Sequence, residues 1–168
     1  MPGPVFFLQY RVGYKGLLFR VIKFRTMNTC HDGNCVSVKG EARITPLGAF
    51  LRKYKLDELP ELFNVLIGDM SFVGPRPDVP GYADKLEKED VIILSVRPGI
   101  TGPASIKYRN EEILLATVDN PKKYNDEILY PDKVRINKSY IENWSFTLDL
   151  KIILYTIIGK KLKEPWLN

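Results

Sequence analysis

The stretch KLDELPELFNVLIG, residues 55–68, decides how the first half of the chain is laid out. Pro60 is tolerated in a first helical turn but not in a helix interior, apolar residues then recur at helical spacing, and Gly68 ends the run. The pattern predicts a helix over residues 58–67, with Asp57 and Glu58 at or just before its start. Exposed backbone amides at a helix N-terminus attract anions such as phosphate. The setting therefore favours a functional site over the solvated surface where most adjacent acid pairs lie.

The residue types around this stretch point to phosphoryl transfer. Two adjacent carboxylates repel each other unless a cation holds them together. Glu58 can ligate a hard metal such as Mg²⁺, with Asp57 as a second ligand, while Asp57 can attack an electrophile. Arg76 lies in the rigid segment GPRP, residues 74–77, and its planar fork suits phosphate oxygens. We therefore expect Asp57 and Glu58 to be catalytic and Arg76 to bind a substrate phosphate.

Patterns outward from this stretch predict an α+β fold. Short β-forming runs at residues 5–8 and 17–22 predict a β-hairpin, whereas the Pro- and Gly-rich segments 71–81 and 97–103 exclude regular helix. Helical patterns are predicted over 46–55, 82–90, 111–130 with a break at Pro121, 132–144 and 146–158. The expected structure is a helix-rich single domain over residues 1–168, with the small hairpin near its N-terminus and interfacial amphipathic helices.

The net charge and the apolar segments of the chain indicate which kinds of partner it can bind. The 168 residues carry a net charge of +5, which suits an anionic membrane surface, a nucleotide or a nucleic acid. No stretch reaches eighteen apolar residues, and the N-terminus lacks the pattern of a secretory signal peptide. The apolar run 146–158, followed by clustered lysines and Trp166, is typical of either a core helix or a helix at a membrane interface, and its flanks favour the interface. No recognition helix or aromatic platform is evident, so no nucleic-acid partner is expected.

Cys30, His31 and Cys35 raise the question of a metal site. They supply three zinc ligands without a fourth of the usual kind nearby, so we interpret residues 28–41 as a mobile loop. His31 is the only histidine. A His-dependent nucleophile is therefore excluded unless this loop supplies it.

Blocks along nearly the whole chain resemble one protein family. They occur in the expected order, and they are PGPVFF (2–7), KFRTM (23–27), RITPLG (43–48), LDELP (56–60), NVLIGDMS (64–71), VGPRP (73–77), RPGITG (97–102) and ENWSFTLDLK (142–151). The chain resembles the bacterial sugar transferase family, the monotopic polyprenyl-phosphate phosphoglycosyl transferases. The chain departs from the family pattern in three ways. The leading hydrophobic segment is missing, which predicts a truncated or naturally shortened chain. Lys55 stands where Ser or Thr is usual, and Pro103 stands where an aromatic residue is usual. The last two bear on substrate preference more than on chemistry.

The resemblance implies a specific reaction. Asp57 would attack the phosphate that bears the sugar of a UDP-sugar, and polyprenyl (undecaprenyl) phosphate would then take the sugar-1-phosphate from the aspartyl intermediate. Glu58 and Asp57 would hold Mg²⁺, and Lys23, Arg52 and Arg76 would bind the substrate phosphates. The chain would act at the cytoplasmic face of the bacterial inner membrane, in the first membrane step of capsule, exopolysaccharide, lipopolysaccharide or glycan synthesis. The sugar and the oligomeric state, including a homo-oligomer, stay open.

Two other classes of function are compatible with the residues. One is a metal-dependent phosphodiesterase that uses water in place of the lipid phosphate. The other is a non-catalytic, basic nucleic-acid-binding module. Release of UMP that depends on polyprenyl phosphate separates transfer from hydrolysis, and binding without UMP release would favour the module.

Overall fold

The computed structural model describes residues 3–28 and 43–167 and has a helix-rich α+β architecture. The predicted fold class and the N-terminal hairpin are confirmed. The elements are β1 (Phe6–Val12), β2 (Leu18–Phe24), α1 (Pro46–Lys53), α2 (Glu61–Leu66), β3 (Ser71–Val73), β4 (Gly99–Thr101), α3 (Pro103–Lys107), α4 (Glu111–Leu115), α5 (Pro121–Tyr124), α6 (Tyr130–Glu142) and α7 (Phe146–Ile158). The Cys30–Cys35 segment lies outside the described residues.

Strands β1 and β2 form an antiparallel hairpin in which Phe6 pairs with Phe24 and Val12 pairs with Leu18. The rings of Phe6 and Phe24 stack with their centroids 5.7 Å apart. Most side chains of β1 are exposed, although the strand is rich in apolar residues. The hairpin therefore buries Val12 and Val21 but leaves an apolar surface open.

The main core lies where α6 and α7 pack with α3 and the C-terminal segment. Its buried members include Ile106, Ile136, Tyr140, Ile152 and Leu167. The N-cap of α7 is Ser145, whose side chain accepts a hydrogen bond from Leu148 N. The helix ends at Gly159, which has a φ of 73°.

One face of α7 enters the core through Leu148 and Ile152, and another leaves apolar side chains exposed: Phe146, Leu150, Leu154 and Ile157. The core interpretation of this helix is therefore confirmed for one face. Its placement at a membrane interface stays a prediction. Among residues 3–28 and 43–167, every helix is too short or too polar to cross a bilayer.

One of the predicted helices is wrong, and the break predicted within another is confirmed. The polar helix expected over 82–90 is wrong, because this region forms 3₁₀ turns at Ala83–Lys85 and Lys88–Ser95, and Lys88 adopts a left-handed φ of 55°. The break expected at Pro121 is confirmed, since Pro121 opens α5 as its first helical residue. From α5 the chain continues through a π-helical turn, Asn125–Leu129, directly into α6.

Strands β3 and β4 pair in parallel and fix the segment that follows β3. Gly74 N donates to Thr101 O at 2.9 Å, and Gly99 N donates to Pro75 O at 2.9 Å. A Cβ on Gly99 would lie 2.2 Å from Gly74 N, so this approach of two backbones requires glycine. The predicted irregular segments 71–81 and 97–103 thus hold each other in place.

Candidate active site

Asp57 and Glu58 lie on a single 3₁₀ turn, Leu56–Glu58, directly before α2. The chain enters this turn through Lys55, whose φ of 56° reverses its direction after α1. Pro60 is the N-cap of α2, which begins at Glu61. The predicted position of the pair just before a helix is confirmed, and the helix is shorter than the predicted range 58–67.

Glu58 is the centre of an ion-pair network. Both of its oxygens accept hydrogen bonds from the Arg76 guanidinium, and its Oε1 lies 3.1 Å from Lys23 Nζ. The Glu58 side chain is only 13% exposed, and that of Arg76 is 41% exposed. Burial acts to raise the pKa of Glu58, but Arg76 and Lys23 outweigh it and hold the pKa well below its usual range. Glu58 is therefore ionised at any physiological pH.

Asp57 has the opposite electrostatics. Burial, followed by the adjacent negative charge of Glu58, raises its pKa above the ordinary 3.8, against the opposing effects of Lys23, Lys55 and Arg52. Its Oδ1 is buried and has no hydrogen-bond partner within the described part of the chain. Two neighbouring carboxylates with pKa values moved apart are typical of groups with different roles. Of the two carboxylates, Asp57 is the more basic and has the fewer hydrogen-bond partners.

Two polar residues that the sequence reasoning missed support the network from α2. Glu61 is 2% exposed, and its Oε1 lies 3.1 Å from Lys23 Nζ, so Lys23 bridges Glu58 and Glu61. Burial raises the pKa of Glu61, an effect that Lys23 opposes. Asn64 is fully buried; it accepts from Ile22 N at 3.1 Å and donates to Arg20 O at 2.8 Å. Asn64 thereby joins α2 to the strand that carries Lys23.

The apolar side chains of α2 point the other way. Leu62, Phe63 and Leu66 are exposed, Leu66 by 81%, and Ile67 just beyond the helix is exposed as well. The signal that could have revealed this arrangement is the polar pair Glu61 and Asn64, which are three residues apart and share one face of a helix that is otherwise apolar.

Hydrogen bonds to the backbone on both sides of Arg76 hold it in place. Before it, Gly74 and Pro75 bond to the β4 region. After it, Arg11 Nη1 donates to Pro77 O at 3.2 Å, and Val12 N donates to Asp78 O at 2.9 Å. The predicted rigid turn around Arg76 is confirmed, and its guanidinium is aimed at Glu58.

Two further cations, Arg52 and Arg97, are placed differently. Arg52, on α1, pairs with Glu112 on α4, so its direct contact lies outside the Glu58 network, although its charge still lowers the pKa of Asp57. Arg97 donates to Gly68 O at 2.7 Å, which is a structural contact with the end of the α2 region. Of the three predicted phosphate-binding residues, the structure brings Lys23 and Arg76 together at Glu58.

Comparison with known proteins assigns the chain to a family. The sequence profile described as "Bacterial sugar transferase" matches residues 1–161. The chain belongs to the bacterial sugar transferase family. It is 40% identical over 155 residues to an uncharacterized sugar transferase, EpsL, of Bacillus subtilis, a match that covers 92% of this chain and 69% of that relative.

Two longer relatives have more specific names. The first is a UDP-glucose:undecaprenyl-phosphate glucose-1-phosphate transferase of Xanthomonas campestris, which is 40% identical over 95% of this chain. The second is a UDP-N-acetylgalactosamine-undecaprenyl-phosphate N-acetylgalactosaminephosphotransferase of Aeromonas hydrophila, which is 38% identical over 93% of this chain. The matched regions are 33% and 35% of those two proteins, so the chain spans about a third of their length.

The described residues of this sugar transferase offer few protein ligands to a metal at the acidic pair. Residues 3–28 and 43–167 contain no cluster of three or more His, Cys, Asp or Glu side chains able to hold a metal ion. Any metal at Asp57 and Glu58 would therefore have two protein carboxylates at most. Mg²⁺ is commonly bound in this way, with one or two carboxylates, several waters and substrate phosphates.

A cavity of about 50 Å³ adjoins Arg76, and both polar and apolar side chains line it. Asp78 lines it, and burial raises the pKa of Asp78 to about 6, against the opposing charges of Lys133, Arg11 and Arg76. Lys133 reaches the same cavity and donates to Glu111 at 2.7 Å. The sequence reasoning missed these residues, because they are distributed over the 74–78 segment, α4 and α6.

Proposed function

We propose that this chain transfers a sugar-1-phosphate from a UDP-sugar to a polyprenyl phosphate such as undecaprenyl phosphate, through an intermediate on Asp57. The observation that carries the proposal is the contrast at residues 57 and 58. Asp57 has a buried, unpartnered oxygen within the described residues and a raised pKa, beside a Glu58 that is held by two cations. The names of the two longer relatives, which act on UDP-sugars and undecaprenyl phosphate, support the choice of substrates.

The reaction proceeds in two displacements. An Asp57 carboxylate oxygen attacks the phosphorus that carries the sugar, the bond from that phosphorus to the oxygen of UMP breaks, and UMP leaves with the electron pair. An oxygen of the polyprenyl phosphate then attacks the same phosphorus, and the Asp57 carboxylate leaves. Splitting the exchange means that the soluble and lipid substrates need not bind at the same time.

Lys23 and Arg76 stabilise the negative charge on the transferred phosphate. Glu58 aligns both of them, and Glu61 holds Lys23 from the other side. Because the backbone around Arg76 is fixed, its guanidinium costs little to reorganise during the reaction. Arg52 adds a further positive charge near Asp57, which the diphosphate can recruit from Glu112.

The donor set of this site fits Mg²⁺. Asp57 Oδ1 is unpartnered in the described chain, and Glu58 Oε2, which accepts one bond from Arg76, keeps a second lone pair for a ligand bond. Asp57 and Glu58 would hold the ion. When bound, Mg²⁺ would neutralise part of the diphosphate charge that otherwise repels the Asp57 carboxylate.

A lipid acceptor places the reaction at a bilayer, which we assign to the cytoplasmic face of the inner membrane. Exposed apolar side chains on β1, α1, α2 and α7 supply area for contact with lipid, and the positive net charge favours anionic headgroups. Flotation with anionic vesicles at low salt should recover the chain, and added salt should weaken the association. Absence of the chain from floated vesicles at low salt would refute the membrane placement.

UMP release tests the reaction itself. With a UDP-sugar and Mg²⁺, sustained UMP release should require polyprenyl phosphate, and the lipid product should carry the sugar. Sustained release in the absence of lipid would instead identify a phosphodiesterase. Binding of nucleic acid without any UMP release would favour the basic module. A sugar transferase of this kind would serve capsule, exopolysaccharide, lipopolysaccharide or glycan synthesis.

A further inference from the structure

The two longer relatives act on different sugars, glucose and N-acetylgalactosamine, at nearly equal identity to this chain. Family membership therefore does not select the sugar. The feature that does so must lie within reach of Asp57, because the sugar is attached directly to the attacked phosphate. The cavity beside Arg76 is the candidate for this requirement, since the Arg76 guanidinium contacts Glu58 and Arg76 is also one of the lining residues.

One face of α6 and two residues of α3, Ala104 and Ser105, form most of the cavity wall. Tyr130, Lys133, Val134 and Asn137 recur at helical spacing along α6, and Ser105 on α3 faces the same space. The volume of about 50 Å³ is several times the roughly 10–15 Å³ that a cavity needs to hold one water. It has room for a hydroxyl or hydroxymethyl substituent of a ring.

The charges of the cavity are balanced. Lys133 donates to Glu111 at 2.7 Å, and Arg76 is bound by Glu58, so both cations already have a carboxylate partner. Asp78 adds a further acidic group. A phosphate in this cavity would be repelled by these carboxylates, and both cations already have a carboxylate partner. A neutral hydroxyl, which both donates and accepts, suits the mixture better.

Asn137 provides the most specific signal. It is 6% exposed, and its Oδ1 has no hydrogen-bond partner in the described part of the chain. A buried acceptor without a donor is unfavourable, and a ligand hydroxyl would satisfy it. Ser105 adds a second adaptable hydroxyl on the same cavity.

We propose that this cavity receives a hydroxyl or hydroxymethyl group of the sugar of the UDP-sugar, and that Asn137 and Ser105 determine which sugar is accepted. The inference rests on the proposed transferase function. Polar groups that are built to bond a substrate hydroxyl discriminate strongly, because a wrong sugar leaves them buried and unpaired.

The test compares UDP-glucose, UDP-galactose, UDP-N-acetylglucosamine and UDP-N-acetylgalactosamine. For each, the kcat/KM of lipid-dependent UMP release and the loading of the protein by intact mass are measured in the wild type and in Asn137→Ala, Asn137→Asp and Ser105→Ala. Ser139→Ala, on the same helix but outside the cavity, is the matched control. Inhibition by UMP reports the nucleotide subsite, and thermal melts report folding.

The ratio of kcat/KM between the best sugar and its epimer should change roughly ten-fold or more in the Asn137 and Ser105 variants, with UMP inhibition and the Ser139→Ala control within two-fold of wild type. If Asn137→Ala does not fold, Ser105→Ala and Asn137→Asp carry the test. Unchanged sugar ratios in the folded variants would overturn the inference and leave a cavity that holds water only. Failure of the wild type to load any of the four sugars would overturn the proposed function itself.

Discussion

Asp57→Asn and Glu58→Gln should change the stability of the protein in opposite directions. The folded state raises the pKa of Asp57, so ionising it costs stability once the pH rises above the unfolded value of 3.8, and that cost persists at neutral pH. The pKa of Glu58 is lowered, so its contribution is present above the unfolded value of 4.5 and is lost as the pH falls toward the folded pKa. At pH 7, therefore, the charge of Asp57 lowers the free energy of unfolding and the charge of Glu58 raises it.

The magnitudes follow from the contacts. Asp57→Asn replaces an unpartnered oxygen of a charged group by one of a neutral group, and because an unsatisfied charged group costs more, we expect a gain of about 1 kcal/mol. Glu58→Gln leaves Arg76 without its anion, and we expect a loss of about 3 kcal/mol, the lower bound for a broken buried pair because Arg76 is partly exposed. For a chain of this size these values correspond to a rise in Tm of about 2–4 °C and a fall of about 6–12 °C.

Thermal unfolding at pH 7 in EDTA measures both shifts without a contribution from bound cations. The matched controls are Asp119→Asn and Glu127→Gln, which make the same chemical changes at exposed positions and should stay within about 0.5 kcal/mol of wild type. Repeating the melts toward pH 4 should bring wild type and Asp57→Asn closer together, as Asp57 gains its proton. Equal destabilisation by both substitutions, or a Glu58→Gln variant as stable as wild type, would refute the electrostatic reasoning.

The same two variants separate the chemical roles. Incubation of wild type with a UDP-sugar and no lipid should add the mass of one phosphosugar, mapped to Asp57 and absent from Asp57→Asn. Glu58→Gln should load slowly and require more Mg²⁺. Substantial lipid-dependent transfer by Asp57→Asn would make a direct, single displacement the better account.

Three further predictions concern single features. Arg76→Lys keeps the charge but loses the planar fork, so kcat/KM should fall by the equivalent of about 1–3 kcal/mol while the fold persists; unchanged kinetics would remove Arg76 from the site. Asn64→Ala leaves Ile22 N–H and Arg20 C=O unpaired and should lower the free energy of unfolding, measured in urea, by about 2–4 kcal/mol. The same substitution at an exposed position should not produce such a loss. Replacing Cys30 and Cys35 with Ser should preserve folding and turnover; loss of stoichiometric zinc together with a lower Tm would contradict the loop interpretation.

The helix after the acidic pair illustrates the limit of local patterns. Apolar periodicity together with Pro60 and Gly68 placed a helix there, and the structure contains α2 at Glu61–Leu66. Periodicity does not say which face is buried, and in α2 the buried residues are Glu61 and Asn64. An ordinary amphipathic helix would bury its apolar face. The reversal became visible only when β2 supplied hydrogen-bond partners for Asn64 and a cation for Glu61.

The sequence by itself determined the elements whose signals are local. The hairpin, the turn that carries Asp57 and Glu58, the rigid segment around Arg76 and the extent of α7 all depend on residues close together in the chain. Tertiary structure decided the partners. Lys23 and Glu58 are 35 residues apart and Arg76 and Glu58 are 18 apart, so their pairing depends on how β2, α2 and the β3–β4 pair pack together. Opposite pKa shifts on two adjacent carboxylates follow from the same packing, because burial and the positions of cations are properties of the folded chain.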